Sequence, residues 1–168
     1  FRENTEGLYV GMGGRFKPGT DDEVAIQEEV NTYKGVNRIV RHAFDCARTR
    51  PRHRLCMADK SNAMTHGHAL WQRVFAEARK DYPDVDASHM YIDALAMFMV
   101  QDPSQFDVIV TNNLFGDIIT DIGAALQGGL GMAASGNIHP GRTSMFEPVH
   151  GSAPPLAGKN VANPIGAI

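Results

Sequence analysis

The amino-acid sequence predicts an α/β fold, because strand-like and helix-like apolar patterns alternate along much of the chain. Three times a short apolar run typical of a buried strand precedes a longer segment with helical periodicity, within residues 55–78, 89–100 and 108–126. Successive strand–helix units are typical of a parallel sheet covered by helices. Binding and catalytic groups in such folds gather at the carboxyl ends of the strands.

The segment before these units contributes strand patterns and one long helix. Residues 8–10 are apolar and lie among glycines, which predicts a strand passing into a flexible turn or arm. Residues 24–28 alternate in character, which predicts a short strand. From residue 36 to residue 47 the apolar positions recur with a helical period, so a helix is expected that ends before Pro51.

The three units then follow in order, and the first carries a polar turn at residues 59–62. The expected strands and helices are 55–58, 70–78, 89–93, 94–100, 108–111 and 114–126. Beyond residue 127 the sequence is rich in Gly, Ala, Ser and Pro, so loops are expected there, with one strand at 144–148.

Composition narrows the possible function classes. The chain has 168 residues, of which 43% are hydrophobic, and this is enough to bury one core. Its 19 acidic and 16 basic residues are spread along the chain and give a net charge of −3, which argues against a nucleic-acid partner. No apolar run reaches the ~20 residues needed to cross a bilayer. Cys46 and Cys56 lack metal or redox spacing, so we expect a cytoplasmic protein with no membrane partner.

Three aspartates are candidates for metal binding. Asp117 and Asp121 lie four residues apart in a segment almost free of other charge, so both carboxylates are expected on one face of a largely buried helix. Asp93 follows a strand pattern and is the natural third acid. Carboxylate oxygens are the ligands that Mg²⁺ or Mn²⁺ prefers. The alternative is that each aspartate caps a helix or pairs with an arginine.

Two further motifs suggest catalysis and coenzyme binding. Lys60 occupies the turn after a strand and is either a solvated loop lysine or, if the turn lines a pocket, a proton carrier. Residues 150–154 read HGSAP and offer backbone N–H groups to a nucleotide, although no GxGxxG motif follows a strand. His66 and His68 have poor spacing for a shared metal on a helix.

Several long motifs resemble one family. They occur in the order RENTEG, DKSN, YIDALAM, FDVIVTNNLFGDIITD, FEPVHGSAP and GKNVANP, within residues 2–7, 59–62, 91–97, 106–121, 146–154 and 158–164. Together they resemble the isocitrate and 3-isopropylmalate dehydrogenase family of metal-dependent decarboxylating dehydrogenases, over essentially the whole chain. The segments IQEEV, KGVNRIVRHAF, DKSN and HPGRTSMFEP look most similar to the tartrate and D-malate branch.

The resemblance implies an isopropylmalate-dehydrogenase-like fold and a homodimer with shared active sites. Residues 1–126 would form the small domain, which binds metal and dimerises, and residues 127–168 a strip of the large domain with the adenine loop. The resemblance also implies roles for single residues: Arg2 for the substrate carboxylate, Lys60 and Asp93 for proton transfer, Asp93, Asp117 and Asp121 for metal, and Asn62, Glu147, His150, Gly151, Ser152, Ala153 and Asn163 for NAD. Asp117 and Asp121 would serve the site of their own subunit, and Lys60 and Asp93 would reach into the site of the other subunit.

Two departures from the family pattern concern the coenzyme and a proton donor. Relatives that use NAD usually carry an acid just after HGSAP, where this chain has Pro155, so the preference for NAD over NADP is open. Many relatives carry a tyrosine before the long helix, where Asn31 stands here and Tyr33 lies two residues on.

The resemblance predicts oxidation and decarboxylation of D-malate or tartrate, using NAD and Mg²⁺ or Mn²⁺. The alternatives are 3-isopropylmalate, isocitrate or homoisocitrate. A different class remains open, a non-catalytic dimerising fragment or a regulatory relative, although the metal acids and the lysine favour an active parent. Both ends look cut, so we expect the chain to be incomplete and inactive alone.

Overall fold

The computed structural model describes residues 1–168 and contains seven strands and four α-helices, with short 3₁₀ turns between some of them. The strands are β1 (Gly13–Phe16), β2 (Val24–Gln27), β3 (Arg54–Asp59), β4 (Asp86–Tyr91), β5 (Val108–Thr111), β6 (Ala134–Asn137) and β7 (Met145–Pro148). The helices are α1 (Tyr33–Thr49), α2 (Gly67–Arg79), α3 (Ile92–Gln101) and α4 (Asn113–Leu126).

The chain divides into two compact units, residues 1–118 and 119–168. This division falls inside α4, whereas the change in composition suggested a boundary after residue 126. No helix of the chain is long and apolar enough to cross a membrane.

The first unit contains a three-stranded parallel sheet in the order β4–β3–β5. Each of its strands is followed by a helix, as the alternating patterns predict, so the α/β fold is confirmed. The second predicted strand of this sheet and its helix both begin earlier in the chain than expected. Strand β4 begins at Asp86 and α3 begins at Ile92, because residues 86–88 also pair with β3.

The core of the first unit lies between one face of the sheet and the helices α1 and α2. Val36, Val40 and Phe44 of α1 are fully buried, and Phe44 stacks on Phe75 and Tyr82 with ring centroids 5.3 Å and 4.7 Å apart. Burial of each such side chain contributes roughly 1.5–3 kcal/mol. This helical layer holds the sheet, and therefore the ends of its strands, in place.

The amino-terminal residues return to the sheet beside β5. Arg2 forms a parallel bridge with Thr111, and the backbone N–H of Glu3 donates to the Thr111 carbonyl at 3.2 Å. The chain then makes an antiparallel hairpin of β1 and β2, in which every strand residue is exposed. The strand predicted at 24–28 is confirmed. The strand expected at residues 8–10 is wrong, because these residues form a 3₁₀ turn and the first strand lies at Gly13–Phe16.

The amino ends of the parallel strands form an edge rich in ion pairs. The Arg48 guanidinium binds Asp84 at 2.6 Å, and the Arg50 Nε lies 3.0 Å from Asp107. Arg54 pairs with an aspartate of β4 at 3.6 Å. The four arginines between residues 48 and 54 are therefore occupied by acids or, for Arg52, by the backbone carbonyls of residues 104 and 106.

The second unit contains an antiparallel pair of strands, β6 and β7. The predicted strand at 144–148 is confirmed as β7, while β6 was not foreseen because its residues ASGN carry no apolar alternation. Residues 151–164 are exposed and irregular apart from one 3₁₀ turn, as the Pro and Gly content predicts.

Candidate functional site

Several of the predicted site residues lie at the carboxyl edge of the parallel sheet. Lys60 directly follows β3, and Asp93 lies in the first turn of α3, directly after β4. Asn112 and Asn113 follow β5 and begin α4. The parallel register of the three strands brings these positions to one edge.

Lys60 and Asp93 form a direct ion pair. The Lys60 Nζ lies 2.5 Å from Asp93 Oδ1, and 28% of the lysine side chain is exposed, compared with 66% for the aspartate. The hydrogen bond from Lys60 holds the pKa of the Asp93 carboxyl below its usual range. The Tyr91 ring lies 5.9 Å from Nζ. This side of the edge therefore presents an amine whose position is fixed by a carboxylate.

A buried carboxylate supports the turn that carries Lys60. Asp59, the last residue of β3, is almost fully buried, and its Oδ1 accepts from the Ser61 backbone N–H at 3.0 Å and lies 2.9 Å from the His89 ring. Its Oδ2 accepts from the Gln72 amide at 2.6 Å. Burying a carboxylate is costly unless it is hydrogen-bonded, and three neighbouring residues form hydrogen bonds with Asp59.

Arg2 lies against the start of α4. Its Nε donates to Asn113 at 2.9 Å, and its Nη1 pairs with Asp117 Oδ1 at 2.5 Å. The Tyr9 hydroxyl donates to the other Asp117 oxygen at 2.9 Å, and this bond raises the pKa of Tyr9. A Cβ at Gly116 would lie 2.7 Å and 2.8 Å from stem carbons of Arg2, so the glycine makes room for the arginine.

The expected burial of α4, which carries two of the candidate metal ligands, is not found in this chain. Asp117 and Asp121 are both exposed, because the face of α4 that carries them has no cover in a single chain. Their carboxylates on one helix suit a hard cation, which accepts few protein ligands together with water and substrate. No three His, Cys, Asp or Glu side chains of the chain converge to hold a metal ion. The residues therefore fit part of a cation site.

The structure also places the tyrosine and asparagine discussed above. The Tyr33 hydroxyl donates to Glu77 at 3.1 Å on the exposed surface of the first unit, and this bond raises the pKa of Tyr33. Asn31 instead accepts from the Trp71 indole N–H at 2.8 Å. Asn62 is exposed in the turn after β3.

Sequence reasoning missed the polar groups behind Lys60. His68 was considered only as a metal ligand, yet it is fully buried and contacts Lys60, Glu29 and Asn112. Nothing in the spacing of these four residues along the chain indicates that they meet. The only indication in the sequence is that His68 lies on the face of α2 whose other buried residues are apolar.

The residues predicted for the coenzyme lie in the second unit, except Asn62. The loop formed by residues 150–153 is largely exposed, and Ala153 has a left-handed backbone with φ of 44°. Glu147 lies on β7 and accepts from Asn137 at 3.3 Å. Asn163 Oδ1 accepts from the Ile165 backbone N–H at 3.0 Å, so this side chain caps the last turn.

Comparison with known families matches residues 1–168 to the family described as isocitrate/isopropylmalate dehydrogenase. The chain belongs to this family. Its members are decarboxylating dehydrogenases, so the resemblance inferred from the sequence motifs is confirmed at that level.

Individual members of the family are similar over nearly the whole chain. The 3-isopropylmalate dehydrogenase of Thermobifida fusca is 54% identical over 99% of this chain and 48% of its own length. That of Mycobacterium avium is 56% identical over 99% of this chain and 50% of its own length. The chain therefore spans about half the length of these curated relatives.

Solved structures of the family show the same fold. The isocitrate dehydrogenase of Methylococcus capsulatus is 44% identical, with a TM-score of 0.90 over 98% of this chain and 48% of its own chain. The TT0538 protein of Thermus thermophilus has a TM-score of 0.91 at 43% identity and is covered over 32% of its chain. The predicted dehydrogenase-like fold is thus confirmed. These relatives do not support the expected likeness to the tartrate and D-malate branch.

Proposed function

We propose that the protein oxidises and decarboxylates a malate-type 2-hydroxy acid, with NAD as oxidant and Mg²⁺ or Mn²⁺ as metal, and that 3-isopropylmalate is its substrate. The contact between Lys60 Nζ and Asp93 at the carboxyl edge of the sheet carries this proposal. The names of the similar curated proteins support 3-isopropylmalate over D-malate and tartrate, which we expected from the short motifs.

The reaction needs a group that can move a proton. C2 of the substrate loses a hydride to NAD⁺ and its hydroxyl loses a proton, then the bond to the leaving carboxylate breaks and CO₂ departs, and the remaining carbon takes up a proton. Lys60 is the amine at the carboxyl edge that can carry such a proton, and Asp93 fixes the position of its Nζ. General acid–base catalysis of this kind contributes about 10²–10⁴-fold to the rate.

The remaining charged residues suit binding. Arg2 carries a guanidinium that can form two parallel hydrogen bonds to a substrate carboxylate, and its stem is held between Gly116 and the start of α4. Asp117 and Asp121, with Asp93, would hold the metal, and Glu147, residues 150–153, Asn62 and Asn163 would contact NAD. When bound, the metal would supply Lewis-acid chemistry to the hydroxyl that is oxidised, and NAD would supply the hydride acceptor.

A homodimer with shared active sites is part of this proposal. Met97 and Val100 on α3 are 48% and 61% exposed, and Ile118 on α4 is 52% exposed. Large apolar side chains on neighbouring turns of a helix favour cover by another protein surface. The chain alone assembles no metal site from three ligands, which supports a contribution from a second subunit.

The test is a substrate panel with the complete protein. Oxidation of 3-isopropylmalate, D-malate, tartrate and isocitrate is followed by absorbance of the reduced coenzyme, with NAD⁺ or NADP⁺ and Mn²⁺. We expect the highest kcat/KM with 3-isopropylmalate and NAD⁺. Higher kcat/KM with D-malate or tartrate would overturn the substrate assignment, and turnover with none would overturn the proposed activity.

A matched pair of lysine variants tests the role of Lys60. Lys60→Met should lower kcat by about 10²-fold or more, since the proton carrier is lost. Lys80→Met removes an exposed lysine at the end of α2 and should leave kcat unchanged. Equal kcat in the two variants would remove Lys60 from the mechanism.

A further inference from the structure

Three buried polar side chains lie behind the Lys60 backbone and have no place in the function proposed above. His68 of α2 is fully buried, Asn112 at the end of β5 is 2% exposed, and the side chain of Glu29, which follows β2, is 7% exposed. They come from three separate segments of the first unit and meet at the point where β3 ends. Burying polar groups costs free energy unless they form hydrogen bonds, so the hydrogen bonds among these three side chains decide whether the cluster is stable.

The hydrogen bonds of His68 define which ring nitrogen carries the proton. The Lys60 backbone N–H donates to His68 Nδ1 at 2.8 Å, and an accepting ring nitrogen carries no proton. The proton of the neutral ring is therefore on Nε2. That atom lies 3.3 Å from a Glu29 carboxylate oxygen and 3.2 Å from the Asn112 amide nitrogen. Because the amide nitrogen is itself a donor, the Nε2–H donates to Glu29.

Glu29 is the acceptor for both neighbours. The Asn112 amide donates to its other oxygen at 2.5 Å. Burial acts to raise the pKa of Glu29, but the hydrogen bonds that it accepts from His68 and from the neighbouring amides lower it below its usual range. The carboxylate is therefore ionised at neutral pH and attracts an N–H group. The Phe115 ring, edge-on to His68 at 5.6 Å, keeps the imidazole in its plane.

We propose that His68, whose Nε2–H tautomer is selected by the Glu29 carboxylate, is a positioning residue that fixes the backbone of Lys60 at the carboxyl edge of the sheet. Its Nδ1 accepts the first backbone N–H beyond β3, which no strand partner receives. The hydrogen bond anchors the start of the turn, so that the Lys60 side chain begins from a fixed point. The inference rests on the proposed role of Lys60 as proton carrier.

Two amide variants separate the two sides of the imidazole. His68→Asn places an amide oxygen near the position of Nδ1 and can still accept from the Lys60 N–H. His68→Gln places its amide near the position of Nε2 and can bind Glu29, but leaves the Lys60 N–H without an acceptor. The two replacements have similar polarity, so a loss of stability common to both is not mistaken for a positioning effect.

The first measurement does not depend on activity. Amide hydrogen exchange of Lys60 is measured by NMR in the wild type and both variants, under conditions where circular dichroism shows each to be folded. We expect slow exchange in the wild type and His68→Asn, and exchange faster by about tenfold in His68→Gln, because one buried hydrogen bond is lost. Equal exchange in the two variants would overturn the proposal.

The second measurement is kinetic and uses the complete protein. His68→Gln should lower kcat on the order of tenfold to a hundredfold with little change in the KM for NAD⁺, because misplacing a reacting group by about 1 Å costs this much. His68→Asn should restore most of kcat. Equal kcat in both variants, while Lys60→Met is inactive, would overturn the positioning role alone. An active Lys60→Met would instead overturn the proton-carrier role on which it rests.

Discussion

The two edges of the parallel sheet handle charge in different ways. At the amino edge, Arg48 and Arg54 pair with exposed aspartates, as in the contact between Arg54 and Asp86, whose side chains are 53% and 72% exposed. Asp107, the partner of Arg50, is the buried acid of this edge, with 2% of its side chain exposed. At the carboxyl edge, Asp59 and His68 are almost fully buried and bind several partners each. Exposed ion pairs add little stability, whereas buried polar groups are costly unless they are hydrogen-bonded.

The comparison also shows why a cluster of charge in a sequence is ambiguous. The four arginines between residues 48 and 54 are as dense as many nucleic-acid-binding segments. The structure uses them locally, to tie the end of α1 and the start of β3 to neighbouring aspartates and backbone carbonyls. The polar residues of the carboxyl edge are far apart in the sequence, and the parallel pairing of the three strands brings them together.

The largest expected difference between the edges is in stability after removal of an aspartate. Asp59→Ala should lower the free energy of unfolding by about 3 kcal/mol, because it removes the buried carboxylate that binds Ser61, Gln72 and His89. Asp86→Ala should lower it by less than about 1 kcal/mol, because its ion pair is exposed. Urea unfolding of both variants measures this difference. Equal losses would show that the edges do not differ energetically.

A smaller effect is expected from filling the space beside Arg2. Alanine favours a helix interior over glycine by about 1 kcal/mol, but the Cβ of Gly116→Ala would collide with the Arg2 stem, so we expect a net loss of about 1 kcal/mol. Gly14→Ala on the exposed hairpin meets no atom within 4 Å and is the control. Thermal unfolding measures both changes.

A double-mutant cycle identifies the cause of that loss. If the collision with Arg2 is responsible, Gly116→Ala should cost nothing in an Arg2→Gly background, which removes both stem carbons. A persistent loss there would point to the backbone of α4 instead of the arginine.

The smallest expected effect is on the pH dependence of stability. The lowered pKa of Glu29 means that its ionised form adds stability above its ordinary value of 4.5, and that this part is lost as the pH falls through the folded-state pKa. Glu29→Gln should therefore lose stability less steeply than the wild type on acidification below about pH 5. Glu28→Gln, which alters an exposed neighbour, should follow the wild type. Parallel slopes for all three proteins would remove Glu29 from the acid response.

The fold was predictable because apolar periodicity records burial directly. Of the six positions that predict α1, residues 36, 40, 43, 44 and 47 are buried and Ile39 is half-buried. The strand patterns at 55–58 and 108–111 form the centre and one side of the sheet. The strand β6 could not be predicted, because Ser135 and Gly136 pair with β7 through backbone alone. Its existence depends on a partner, not on its own side chains.

The site was predictable only where single residues stand out in a motif. Lys60 and Asp93 follow strand patterns, and the structure joins them. The pairing of Arg2 with Asp117 joins residues 115 positions apart, and the contact of Glu29 with His68 also depends on tertiary folding. The expectation that α4 is buried was wrong for the single chain. The apolar content of a helix indicates that a surface packs against it, but does not indicate whether that surface belongs to the same chain.

The bridge between Arg2 and Thr111 has a consequence for biosynthesis. Arg2 leaves the ribosome well before its partner strand exists, and at about 5–20 residues per second the wait lasts roughly 5–20 seconds. During that time the RENTEG segment has no β5 to lie against, while α1, β3 and α2 are already synthesised and can pack. The substrate-binding arginine proposed above is thus synthesised well before the strand against which it lies.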